Sequence, residues 1–225
     1  MTELFNSPFL GLFLTIAAFY VGSIVQKKTK WALANPLIIA ICLLISSLLI
    51  FKIPFDAYQK GGSIITMFLG PATACLAVSI YHKRQYLKSN LIPILVGSTC
   101  GCITSMGSIF IMCHLFHLDD KITMALIPKS VTMPIALGVT DSLGGLAPFT
   151  VAAVVFTGIL GNLLAPLLIK IFRVKDSAVA GLSIGACSHA LGTSRAIQIG
   201  ETEGAMSGLA IGICGILTVL LSLFF

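Results

Sequence analysis

Residues 129–145 read KSVTMPIALGVTDSLGG, and residues 178–195 read AVAGLSIGACSHALGTSR. Both stretches are only moderately apolar, are rich in Gly, Ser, Thr or Pro, and hold ionisable groups: Lys129 and Asp141 in the first, His189 and Arg195 in the second. Their surroundings make them unusual. The chain of 225 residues is 57% hydrophobic and 10% charged, with a mean hydropathy of +1.03. A water-soluble domain is about 25% charged, because its exterior must be solvated. Most of this chain therefore faces hydrocarbon.

A helix needs about 20 apolar residues to cross a bilayer. Clear runs are Pro8–Val25, Pro36–Ile53, Gly62–Tyr81, Leu91–Phe116, Leu146–Phe172 and Gly204–Phe225. The expectation is an all-α integral membrane protein with about six transmembrane helices plus two re-entrant or broken-helix hairpins, the two quoted stretches. Residues 1–225 form one polytopic membrane domain in this reading, with the helices of 8–81 as a scaffold.

The net charge of +6 comes from short clusters: Lys27, Lys28 and Lys30; Lys83, Arg84 and Lys88; Lys170, Arg173 and Lys175. Cations confined to loops between apolar runs mark the cytoplasmic side rather than a nucleic-acid surface. The loops at Pro54–Lys60 and His117–Lys121 then lie outside, with both termini. Only one full crossing fits between Phe116 and Phe172, so residues 129–145 dip in from outside and residues 178–195 from the cytoplasm. Glu3 and the lack of a basic leader argue that the first apolar run is retained. The seven cysteines all fall in apolar stretches, where Cys serves as a small apolar residue. Cys100-Gly-Cys102 has the wrong spacing for zinc. No disulfide, metal or cofactor is expected.

Self-similarity supports the pairing. Leu91-Ile92-Pro93 recurs as Leu146-Ala147-Pro148, and Phe116-His117-Leu118-Asp119-Asp120 as Phe172-Arg173-Val174-Lys175-Asp176. Ala136-Leu137-Gly138 recurs as Ala190-Leu191-Gly192. The units 91–145 and 146–200 each read as a span, a charged turn and a dip, inverted relative to each other. A poorer third copy runs from Asn35-Pro36 through Phe51–Asp56 to Pro71–Val78. Inverted repeats whose interrupted segments meet at midplane are an architecture of secondary transporters.

Ionisable groups within a membrane are costly and point to function. Arg195 is the first candidate for holding a carboxylate, with Ser188, His189 and Thr193 beside it and Lys129, Ser130 and Thr132 opposite. Snorkelling is the plainer role for Lys129, and an interfacial anchor or a Glu201 partner is the plainer role for Arg195. Asp141, His189 and Glu201 are candidates for proton transfer or gating, Asp141 by facing Arg195. Pro134, Gly138, Gly185 and Gly192 are the candidate breaks. Ser188, His189 and Asp141 make a hydrolase triad only on paper, since adjacent side chains diverge and no GxSxG elbow is present; no enzyme is expected.

The run Pro128-Lys129-Ser130-Val131-Thr132-Met133-Pro134-Ile135-Ala136 resembles a signature of the LrgB/CidB family of bacterial membrane proteins. So does Ser188-His189-Ala190-Leu191-Gly192-Thr193-Ser194-Arg195-Ala196, followed by Glu201–Ala205 and Ser207. The family more often has Gly in place of Ala190 and Ala in place of Ser194. The resemblance implies a multi-pass protein of the bacterial inner membrane and two functional accounts. One is an antiholin-like regulator of murein hydrolase export, acting with a small holin-like partner of the LrgA/CidA type. The other is a carrier of small carboxylates such as pyruvate, glycolate or glycerate. Carriers of this size often dimerise, so a homodimer is expected. The dips favour the carrier. A membrane-impermeant thiol reagent should reach cysteines introduced at residues 83–88 from the cytoplasmic side alone; labelling from outside would overturn the orientation.

Overall fold

The computed structural model describes residues 7–29, 36–68 and 90–225, with Pro71, Ala74, Val78, Tyr81, Gln85 and Lys88 between them. Cys75, Lys30, Lys83, Arg84 and parts of the Gly62–Tyr81 and Pro71–Val78 stretches lie outside the described residues. The described elements are all helical. Four of them are long and apolar enough to cross a membrane: Pro8–Thr29, Leu91–Leu115, Ala147–Ile171 and Glu201–Ser222. A shorter apolar helix covers Pro36–Ile50.

The chain divides into two compact units, Met1–Ala72 and Thr73–Phe225. In the first, α1 (Pro8–Thr29) packs on α2 (Pro36–Ile50) and α3 (Phe55–Met67). Gly11 and Gly61 bring the backbones of α1 and α3 into contact, and Thr15 Oγ1 lies 3.0 Å from the Tyr58 hydroxyl.

The second unit holds α4 (Leu91–Leu115), α5 (Asp120–Leu126), α6 (Met133–Ser142), α7 (Ala147–Ile171), α8 (Ser177–Ile199) and α9 (Glu201–Ser222). α4 and α7 end in the same way. After α4, Phe116, His117 and Leu118 donate to the Met112, His114 and Cys113 carbonyls; after α7, Phe172, Arg173 and Val174 donate to those of Leu168, Lys170 and Ile169. His117 (φ 52) and Arg173 (φ 50) occupy the left-handed position that closes such a helix end. An aspartate then caps the next helix. The Asp119 carboxylate accepts from the Lys121 amide, and that of Asp176 from the Ala178 and Val179 amides. In the first unit, Phe51, Lys52 (φ 50) and Ile53 repeat the same turn after α2.

Both dips are hairpins. α5 and α6 form the first: the Leu146 amide donates to the Lys121 carbonyl, and Gly145 packs on the Met124–Ala125 backbone, so the chain returns to where it started. Its tip is residues 127–132. The outgoing arm, α5, begins nine residues before Lys129, so the first dip is longer than the sequence marked; Ile122–Leu126 was too short an apolar run to read as an arm. α8 is the second hairpin. His189 has φ 41 and ψ −141, and beyond it the chain doubles back, which brings Gly192 against Ile184 and Ser188. Gly181 and Gly185 of the outgoing arm meet Glu203 and Ser207 of α9, while Ile197 and Thr193 of the returning arm meet Gly204 and Ser207. The two arms therefore run in opposite directions along the same helix.

The hairpins approach from opposite ends and meet halfway. Along α4, Gly97 touches Leu182, Gly101 touches Ala186, and Ser105 Oγ lies 2.8 Å from Ser130 Oγ of the first tip. Val131 and Ala186 share one buried cluster with Cys102, Ala136, Val154 and Cys214. Where α4 ends, Phe110 meets Phe225 beyond α9, ring centroids 5.5 Å apart. With Ser105→Cys and Ser130→Cys in a background without other cysteines, copper-phenanthroline oxidation should give a disulfide in the folded chain. No cross-link in correctly inserted protein would refute the meeting of α4 and the first tip.

Candidate functional site

A reversed backbone inside a bilayer must find its partners in protein. At the second tip, His189 is buried and its Nε2 lies 2.9 Å from the Val154 carbonyl of α7. Thr193 Oγ1 donates to the His189 carbonyl at 3.0 Å and lies 2.6 Å from Ser207 Oγ. Asn162 Nδ2 donates to the Leu191 carbonyl at 2.7 Å. Positive φ at a non-glycine residue costs about 1–3 kcal/mol, and these bonds hold it. α7 leaves room for the tip with two glycines: a side chain at Gly158 would run into the His189 ring, and one at Gly161 into Ser188.

In the arms of the first hairpin, Thr150 Oγ1 of α7 donates to the Ala125 carbonyl at 2.9 Å, an acceptor left free by the end of α5, and lies 2.8 Å from Thr140 Oγ1. Lys129 reaches Ser130 Oγ at 3.1 Å and Ser105 Oγ at 3.4 Å. Among the described residues no carboxylate pairs with it. Thr132, at the N-cap of α6, is buried, and its hydroxyl has no partner among the described residues.

Lys129, Cys187 and Ser188 line one side of an open cleft of about 790 Å³, whose far wall is α7 from Phe149 to Leu168. The structure thus brings Lys129 and Ser130 of one tip together with Ser188 and His189 of the other. Arg195 stands elsewhere, six residues past the reversal, where its Nη1 donates to Gln198 at 2.8 Å. Asp141 is exposed in the last turn of α6 and does not meet Arg195; Glu201 is exposed in the first turn of α9. The paper triad is not assembled, since the His189 ring binds a backbone carbonyl and Asp141 lies at the base of the other hairpin. Pro134 opens α6 rather than breaking it, and Gly138 lies in open space within α6. Gly185 and Gly192 sit in the arms of α8, and the reversal falls on His189.

Sequence reading missed Ser105, Gly158, Gly161 and Asn162. Each lies in an otherwise ordinary apolar span, and only the small or polar character at single positions along α4 and α7 marked them. Gly161→Leu should overpack the tip and destabilise the protein by about 1–3 kcal/mol, read from thermal unfolding in detergent. Gly107→Leu, at an open position on α4, should change stability little. Equal effects would place the second tip away from Gly161.

The LrgB-like family matches residues 15–225 of this chain. A Bacillus subtilis protein named antiholin-like protein LrgB is 35% identical over 215 residues, covering 95% of this chain and 93% of the relative. Proteins of the same name from Bacillus cereus and Bacillus anthracis are 34% identical over 214 residues, with 95% of this chain and 93% of each relative covered. No solved structure matches. With its membrane-spanning helices and this match over nearly the whole length, the chain belongs to the LrgB family of multi-pass bacterial membrane proteins.

Proposed function

We propose that this protein is a secondary carrier of small monocarboxylates of the pyruvate, glycolate or glycerate type, coupled to protons, which works as a homodimer beside a small holin-like membrane partner. The observation that carries the reading is Lys129. An unpaired lysine at mid-bilayer depth costs about 2.5–3.5 kcal/mol, yet here the ammonium sits where two opposed hairpin tips converge and, among the described residues, has only hydroxyl partners. An anion is the missing half of that arrangement. The Ser130 hydroxyl, the unpartnered Thr132 hydroxyl and the positive end of α6 are suited to the same charge. Ser188 faces the cleft from the other tip.

His189 is the candidate for proton coupling. Its ring bonds a backbone carbonyl beside the cleft, and imidazole changes charge near neutral pH. Opposed hairpins also support alternating exposure of one central site, because either can move while the other holds the ligand.

The name antiholin-like, carried by the relatives, supports a second reading in which the protein regulates a holin-like system without transport. That reading leaves Lys129 without a task. Purified protein in liposomes separates the two. Saturable uptake of labelled pyruvate or glycolate is expected, with or without the small partner, and its absence in both preparations would defeat the carrier. Lys129→Ala should lower uptake about tenfold or more, the worth of a charge-assisted hydrogen bond in a dry site. Arg195→Ala should retain most of it, reversing the order that the sequence alone favours. Cys187 is exposed and lines the cleft, so bound pyruvate should slow its alkylation by N-ethylmaleimide, with Cys187→Ser as the reference.

A further inference from the structure

The rim of the cleft, with Phe149, Phe156, Leu160 and Leu168 of α7, is exposed and faces lipid. Its inner side holds Lys129 and two hydroxyl groups, Ser188 of the second tip and Thr157 of α7. Ser188 is only 4% exposed, and among the described residues neither hydroxyl has a hydrogen-bond partner. A polar group so deeply buried is normally paired. α7 sets the two hydroxyls in register. Ser188 Oγ fills the space that a side chain at Gly161 would take, and Thr157 stands four residues earlier on the same face of the helix. Positions four apart on one helix face lie about 5–6 Å from each other. Across such a gap, one oxygen atom can take a hydrogen bond of about 2.8 Å from each side.

We infer, resting on the carrier reading above, that Thr157 and Ser188 bind the oxygen on C2 of the transported acid while Lys129 holds its carboxylate. The carrier then selects 2-oxo and 2-hydroxy acids over unsubstituted ones. A serine or threonine hydroxyl carries one donor and two acceptor sites. Both hydroxyls can therefore donate to a 2-oxo group; facing a 2-hydroxyl, one donates and the other accepts. Pyruvate, glycolate and glycerate all satisfy the pair. Propionate, which has CH2 where pyruvate has C=O, displaces water from both hydroxyls and leaves them unpaired. Sites built to bond an oxygen reject the analogue without it for this reason. Nothing in the sequence marked Thr157. A threonine inside a helix commonly bonds the carbonyl four residues back, as Thr15 does in α1, and Thr157 makes no such bond, which leaves its hydroxyl to the cleft.

Pyruvate, lactate and propionate make the test, since they share a three-carbon skeleton and differ at C2. The full-length protein is read in two ways. One is protection of Cys187 from N-ethylmaleimide in detergent, followed by mass spectrometry of its peptide, where no pH gradient can be collapsed by a permeant acid. The other is uptake of labelled pyruvate into liposomes with each acid as competitor. Expected is protection by pyruvate and lactate at similar concentrations, with propionate needing about tenfold more. Thr157→Val keeps the side-chain volume, and Ser188→Ala still fits the space at Gly161. Each should raise the pyruvate concentration required toward that of propionate, leaving propionate itself little changed. If propionate protects or competes as well as pyruvate, or if neither substitution changes their ratio, while uptake still saturates and depends on Lys129, the C2 subsite falls and the carrier stands. If no acid protects Cys187 and no pyruvate is taken up, the carrier reading falls and the subsite with it.

Discussion

Backbone that turns round inside a bilayer has nowhere to put its N–H and C=O groups except on other parts of the protein. Everything distinctive in the second unit follows from meeting that constraint twice. The second reversal is held by the His189 ring on the Val154 carbonyl, by Thr193 on the His189 carbonyl and by Asn162 on the Leu191 carbonyl. The first is held by Thr150 on the Ala125 carbonyl and by the Ser105–Ser130 contact. Most of these partners come from α7, which serves both tips along one face.

Close packing is what makes such bonding geometrically available. Gly158 and Gly161 let the second tip settle against α7, and Gly181 and Gly185 let the outgoing arm of α8 lie against α9 backbone to backbone. In lipid, helix association gains little from apolar burial and depends instead on contact and hydrogen bonding. Small residues are therefore concentrated where α7, α8 and α9 touch.

The two hairpins also share a construction at their bases. A helix end closed by a residue at φ 52 or φ 50 is followed within a few residues by an aspartate cap, once after α4 and once after α7. The turn reverses the chain sharply, and the cap pairs amide groups at the start of the next helix. Two equal devices at opposite ends of the unit aim two hairpins at one point between them. The single charge near that point, Lys129, is half-buried and reaches the Ser105 and Ser130 hydroxyls.

By itself, the sequence determined the membrane class, the repeated turn and the two stretches that do not behave as spans. These are local properties: hydropathy summed over a window, the motif from Phe116 to Asp120 recurring as Phe172 to Asp176, and Gly or Pro where a helix would be weakened. It did not show which cation stands where the two tips meet. Arg195 looked foremost because it closes the most polar run, yet its position depends on where α8 reverses, and that point is His189, a residue with no intrinsic tendency to break a helix. Only the tertiary structure decided this, since the reversal is stabilised by partners 29 to 35 residues earlier in the chain, from Asn162 and Val154. A hairpin held by distant hydrogen bonds leaves no mark at its own tip, so the contact of Lys129 with Ser105, and the cleft it lines together with Ser188 and α7, appear only once the helices are packed.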